Sequence, residues 1–116
     1  MSQVVALMDD LFFQMKLAET AKHLGVQVKV ATSYEALAPL LAGNPKLLIV
    51  DLNSRGEPIA TIERIRAAKN AVPIIAFLSH VQTELAAQAQ SAGCDEVMPR
   101  SVFTKNLSEI LGRAKD

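Results

Sequence analysis

The chain has 116 residues, half of them hydrophobic, and its 12 basic and 12 acidic side chains cancel. That length suits one compact domain. The zero net charge argues against nucleic acid, and four per cent aromatic content without Trp argues against base-stacking platforms.

The lone Cys94 excludes an internal disulfide and fits a reducing compartment. "MSQVVALMDD" has no basic leader, and "AVPIIAFL" is far shorter than the roughly 20 residues that span a bilayer. The expectation is a single cytoplasmic domain, 1–116, away from membranes and without an attached output domain.

"QVVALM" (3–8) is an apolar run ending at Asp9. In residues 10–25, Phe13, Leu17, Ala21 and Leu24 recur on one helical face, and Gly25 is a natural stop. "VQVKVA" (26–31) alternates like a half-covered strand. In residues 32–43, Thr32 and Glu35 have capping-box spacing, with Leu37, Leu40 and Leu41 on one face. Pro39 inside this segment predicts a short, bent or irregular helix.

"KLLIVD" (46–51) is a continuous apolar strand, and Asp51 is its first residue able to meet water. Pro58 opens a helix over 58–70 with an Ile59, Ile62, Ile65 stripe. "VPIIAFLS" (72–79) is a strand, and "TELAAQAQSAG" (83–93) an alanine-rich helix. "CDEVMP" (94–99) is a weaker strand. Residues 101–115 form a last helix with Val102, Phe103, Leu107, Ile110 and Leu111 facing in.

Five strand–helix pairs in alternation predict an α/β fold, a five-stranded parallel sheet covered on both faces as a doubly wound three-layer sandwich. Right-handed crossovers favour the flavodoxin-like strand order 2-1-3-4-5. Ligands in such sheets sit beyond the carboxyl ends of the strands where winding reverses, between the first and third strands. Asp9, Asp10 and Asp51 end those two strands.

Acids often end parallel strands because strand ends are wet. An adjacent pair on one strand facing a lone aspartate on the next is a more specific pattern. Three carboxylates brought together need a cation, and magnesium, with its preference for oxygen ligands, suits them. A carboxylate beside that ion can attack a phosphoryl group and form an aspartyl phosphate. Ser79, ending the fourth strand, is in register to donate a hydrogen bond to a phosphoryl oxygen on Asp51; equally, it is a good N-cap for the helix that follows. Arg100, after the fifth strand, either pairs with carboxylate or phosphate or is an exposed loop residue.

With these residues in view, the whole chain resembles a response-regulator receiver domain of two-component signalling. "ALMDD" is similar to the family's first strand and acid pair, "LLIVDLN" to its phosphoacceptor strand, "PIIAFLS" to its fourth strand, and "AGCDEVMPR" to its "AGADDYLxK" stretch. The resemblance implies phosphoryl transfer to Asp51 from a histidine kinase or phosphotransfer protein. It implies magnesium on Asp9, Asp10, Asp51 and the Asn53 backbone carbonyl, with Ser79 as the switch hydroxyl. It also implies a downstream protein partner on the face of helix 4, strand 5 and helix 5.

The departures are specific. Arg100 replaces the family's lysine and Ser101 the proline after it, so the peptide bond there is expected to be trans and Arg100 to be free to point elsewhere. Val97 replaces the switch aromatic, and "SRGE" lacks the usual loop proline. His80 stands where a small residue is usual; it either shields a phosphoryl group, substitutes for the lysine, or is ordinary surface. These departures keep open a pseudo-receiver that acts as a phosphorylation-independent interaction module. A small nucleotide- or flavin-binding protein is the third reading, weakened because "MDDLF" is acidic and lacks the glycines of a phosphate loop.

Overall fold

The computed structural model describes residues 3–79 and 82–115; His80 lies outside the described residues. Five strands, β1 (Val4–Leu7), β2 (Val28–Ala31), β3 (Leu47–Asp51), β4 (Ile74–Leu78) and β5 (Glu96–Pro99), form one parallel sheet in the order β2-β1-β3-β4-β5. The expected topology is therefore the observed one. The intervening helices are α1 (Leu11–Leu24), α2 (Tyr34–Leu41), α3 (Pro58–Ala67) and α4 (Thr83–Ala92), followed by α5 (Arg100–Lys105) and α6 (Leu107–Gly112). No helix among the described residues is long and apolar enough to cross a membrane.

Side chains that alternate along a strand point to opposite faces, and here both faces are dry. Val4, Ala6, Leu47, Ile49, Ile75 and Phe77 pack with Phe13 and Leu17 of α1 and with Phe103, Leu107 and Ile110. Val5, Leu7, Leu48, Val50, Ile74 and Ala76 pack instead with Leu37, Ile62, Ile65 and Ala89 of α2, α3 and α4. On the first face Phe13, Phe77 and Phe103 form one aromatic cluster. The Phe77 and Phe103 rings stack at 4.6 Å between centroids, and Phe13 lies 5.1 and 5.9 Å from them.

Several local expectations need correction. The cap of α2 is Ser33, whose hydroxyl accepts from the Ala36 N–H; Thr32 and Glu35 form no capping box. The helix is short, as Pro39 implied, at eight residues. The last helix is two, divided at Asn106 (φ −104°, ψ 14°), whose side-chain amide donates to the Val102 carbonyl at 2.9 Å. Asparagine's habit of bonding nearby backbone supplies the break. Val102, expected to face in, is 42% exposed. α3 ends three residues early because Lys69 turns into the left-handed region (φ 60°).

The far edge of the sheet is held by Arg66 of α3. Its guanidinium donates to the Gly93 carbonyl at 3.0 Å, the Asn70 carbonyl at 2.8 Å and the Asp95 carboxylate at 3.2 Å. Asp95 also accepts the Ile74 N–H at 2.8 Å. Together these bonds fix the C-terminal end of α4 to the start of β4.

Candidate functional site

Asp9, Asp10 and Asp51 all lie at the carboxyl edge of β1 and β3, as the topology requires. Asp51 is not at a wet strand end. It is the last residue of β3, paired across to Phe77, and is only 3% exposed. Its Oδ1 accepts the Asn53 N–H at 2.9 Å, while Oδ2 faces a nitrogen of Arg100 at 3.4 Å. Burial pushes the Asp51 carboxyl above its usual range, and the charges of Asp9 and Asp10 add to that; the Asn53 N–H and Arg100 pull against it.

The other two carboxylates are engaged differently. Asp10 caps α1, its Oδ1 accepting the Phe13 N–H at 3.1 Å, and its Oδ2 lies 3.4 Å from the second terminal nitrogen of Arg100. Asp9 turns to the loop after β3, where its Oδ2 accepts both the backbone N–H of Arg55 at 3.1 Å and its side-chain Nε–H at 3.2 Å. The backbone bond, with the guanidinium adding to it, holds the Asp9 carboxyl below its usual range.

Arg100 thus points into the site and pairs with carboxylate, one of the two alternatives its position left open, and does not turn away. All peptide bonds among the described residues are trans, as expected without the proline. The helix begins at Arg100 itself, one residue earlier than the sequence suggested, with Pro99 as its cap. That start carries the guanidinium back over the sheet edge. Its central carbon lies 4.9 Å from the Phe13 ring centroid and 5.1 Å from that of Phe77, within reach of a cation–π attraction. The cation spans two carboxylates, one nitrogen to each, instead of gripping one with both.

Magnesium would need oxygens from Asp9, Asp10 and Asp51 turned toward one point. Among the described residues no three acidic, histidine or cysteine side chains stand close enough together to hold a metal ion. One oxygen of Asp9 is given to Arg55, one of Asp10 to the helix cap, and Arg100 lies between Asp10 and Asp51. Arranged in this way, the residues do not fit the ion expected from their chemistry.

Ser79 follows β4 and does not cap α4, whose cap is Gln82 and carries no side-chain cap bond. Instead its N–H donates to the Asn53 side-chain oxygen at 2.7 Å. The Asn53 side chain also donates to Gln82 Oε1 at 2.9 Å. Asn53, expected to contribute only its backbone carbonyl, therefore ties Asp51 to the loop before α4. Arg55 and the Asn53 side chain are the residues that sequence reasoning missed. Charge balance pointed to Arg55: three carboxylates at one edge require cations, and the described loops there supply only Arg55 and Arg100. The Asn53 amide left no such signal. The nucleotide reading loses its anchor, because Asp10's own carboxylate occupies an amide at the start of α1 that a phosphate would need.

Replacing Asp51 with Asn should stabilise the fold. A carboxyl whose native pKa lies above its unfolded value favours the native state less as pH rises through that interval. The asparagine mimics the protonated form. Asp51→Asn should gain on the order of 1 kcal/mol at pH 7, and the gain should shrink toward pH 4. Urea melts of both proteins at the two pH values check this; a less stable variant at pH 7 would contradict it.

No protein-family model and no curated protein matches the sequence. Solved structures do. The chemotaxis response regulator CheY4 of Vibrio cholerae is 19% identical with a TM-score of 0.81 over 98% of each chain. The receiver domain of the Francisella response regulator 1452 is 16% identical with a TM-score of 0.82, over 98% of this chain and 96% of that one. The receiver domain of NtrX from Brucella abortus is 19% identical with a TM-score of 0.79 over 96% of each. With the strand order, the sheet covered on both faces and the acidic carboxyl edge already in place, the fold of this chain is that of a response-regulator receiver domain.

Proposed function

We propose that the chain is a receiver-type signalling domain that accepts a phosphoryl group on Asp51 from the phosphohistidine of a kinase or phosphotransfer protein and acts through protein contacts. The observation that carries this reading is the placement of Asp51: a carboxylate ending the central strand, with Asp10 and Arg100 converging on it from the neighbouring elements. In the transfer, an Asp51 oxygen attacks phosphorus and the P–N bond to the donor imidazole breaks. The imidazole leaves with the bonding pair and takes a proton from solvent. The Arg100 guanidinium is the cation on hand to offset charge on the phosphoryl oxygens.

Two surfaces support protein partners. Leu11, Phe12 and Met15 of α1 are exposed beside the acidic edge, a grouping of large apolar side chains that a lone soluble domain rarely shows. Between α4 and β5 lies an apolar hollow of about 160 Å³ lined by residues including Leu78, Ala86, Val97 and Met98. Val97, in place of a ring, leaves that hollow open on the α4–β5–α5 face proposed for output.

Treatment with acetyl phosphate should add the mass of one phosphoryl group to wild type and none to Asp51→Asn. An unmodified wild type, under conditions that label a standard receiver, would instead support the second reading, a module that binds partners without phosphorylation. The near-complete burial of Asp51 is the observation that favours that alternative.

A further inference from the structure

We infer that Arg100 is the built-in counter-cation of the acidic pocket and excludes divalent metal from it. This goes beyond phosphoryl acceptance and holds whether or not Asp51 is ever modified. The guanidinium lies between the Asp10 and Asp51 carboxylates, 3.4 Å from each, which is where an ion shared by those groups would have to sit. It is held there from below as well as from the sides. The Phe13 and Phe77 rings face its central carbon at about 5 Å, so displacing it forfeits ring contacts as well as ion pairs.

Side-chain exposure points the same way. Arg100 is 31% exposed at its side chain and Asp51 only 4%, so solvent screens this pair less than a surface bridge. Arg55 adds a second restraint by turning Asp9 toward the loop. Arg55 is 92% exposed at its side chain, however, and Asp9 25%, so its hold is the weaker one. Metal exclusion therefore falls to Arg100.

The test uses Mn2+ alone as the probe, with no phosphodonor, so it is independent of whether Asp51 can be phosphorylated. Paramagnetic broadening of the Asp10, Asp51 and Asn53 amide signals is titrated in wild type, Arg100→Gln, Arg100→Met and Arg55→Ala. Arg100→Met keeps an apolar stem over the rings should Arg100→Gln fold poorly. Removing a unit positive charge less than 4 Å from two carboxylates should tighten Mn2+ binding by at least about tenfold in the Arg100 variants. Mg2+ should compete for the new site, and adding Asp51→Asn should weaken it. Wild type should show no saturable broadening at these amides, and Arg55→Ala should behave like wild type. Equal binding by wild type and the Arg100 variants overturns the inference. So does failure of both folded Arg100 variants to bind, or tight binding by Arg55→Ala with Arg100 intact.

Discussion

Truncating Phe103 to alanine should cost about 3–5 kcal/mol, the range for removing a large buried aromatic side chain. Phe103 is fully buried, stacks on Phe77 and touches Phe13. It is also the one ring of the three that comes from the C-terminal helices. Its loss leaves a cavity bounded by β-sheet and α1, neither of which can collapse far into it. Phe103→Leu should recover roughly half of the loss by refilling most of the volume. The urea midpoint should fall with little change in slope. A loss below about 1 kcal/mol would show that α5 contributes little to this core. The same cluster is the floor beneath Arg100, so the acidic pocket and the core share one set of rings.

Gly56→Ala should be the most damaging small substitution in the loop after β3. A Cβ at this position would collide with the Thr32 carbonyl oxygen, and it would stand 3.2 Å from the Thr32 carbonyl carbon and 3.4 Å from Leu7 Cδ1. Backbone meets backbone there, so no rotamer relieves the clash. Overpacking of this kind costs about 1–3 kcal/mol. The loop must lift from the end of β2, and Arg55 moves with it. Asp9 should then lose the bonds that hold its carboxyl low, and its pKa should rise, readable by carbon NMR titration. Gly43→Ala is the control, since its Cβ would meet only the Leu40 carbonyl oxygen at an ordinary 3.5 Å. Equal stability of the two variants would remove the close-approach argument.

The sheet was legible because its code is coarse. Leu47 to Val50 are apolar on both faces, and Phe13, Leu17 and Ala21 recur at one helical spacing; both patterns survive in the structure. The acidic edge followed from topology, since strands of a parallel sheet end together. What stayed illegible depends on single dihedral angles. The direction of Arg100 hangs on whether α5 starts at residue 100 or 101, and Pro99 permits either in the sequence. The Asn106 break interrupts an apolar stripe that otherwise continues through Phe103, Leu107 and Ile110. Ser33 and Thr32 are both good caps, and only the backbone chooses between them. The strand was expected to end at Asp51 and does, but its near-complete burial was hidden, because an aspartate after four apolar residues reads as the point where the strand meets water.

Among the described residues, the two ends of α4 differ in the side-chain bonds they make. At its C-terminal end the Arg66 guanidinium and Asp95 stitch three carbonyl or carboxylate partners and a strand amide into one knot. At its N-terminal end the described residues include no side-chain cap bond, and Gln82 accepts a hydrogen bond from the Asn53 side-chain amide. Among the described side-chain bonds α4 is thus anchored chiefly at the edge remote from Asp51, and its near end rests on the packing of Leu85 and Ala86 and on the Asn53 link.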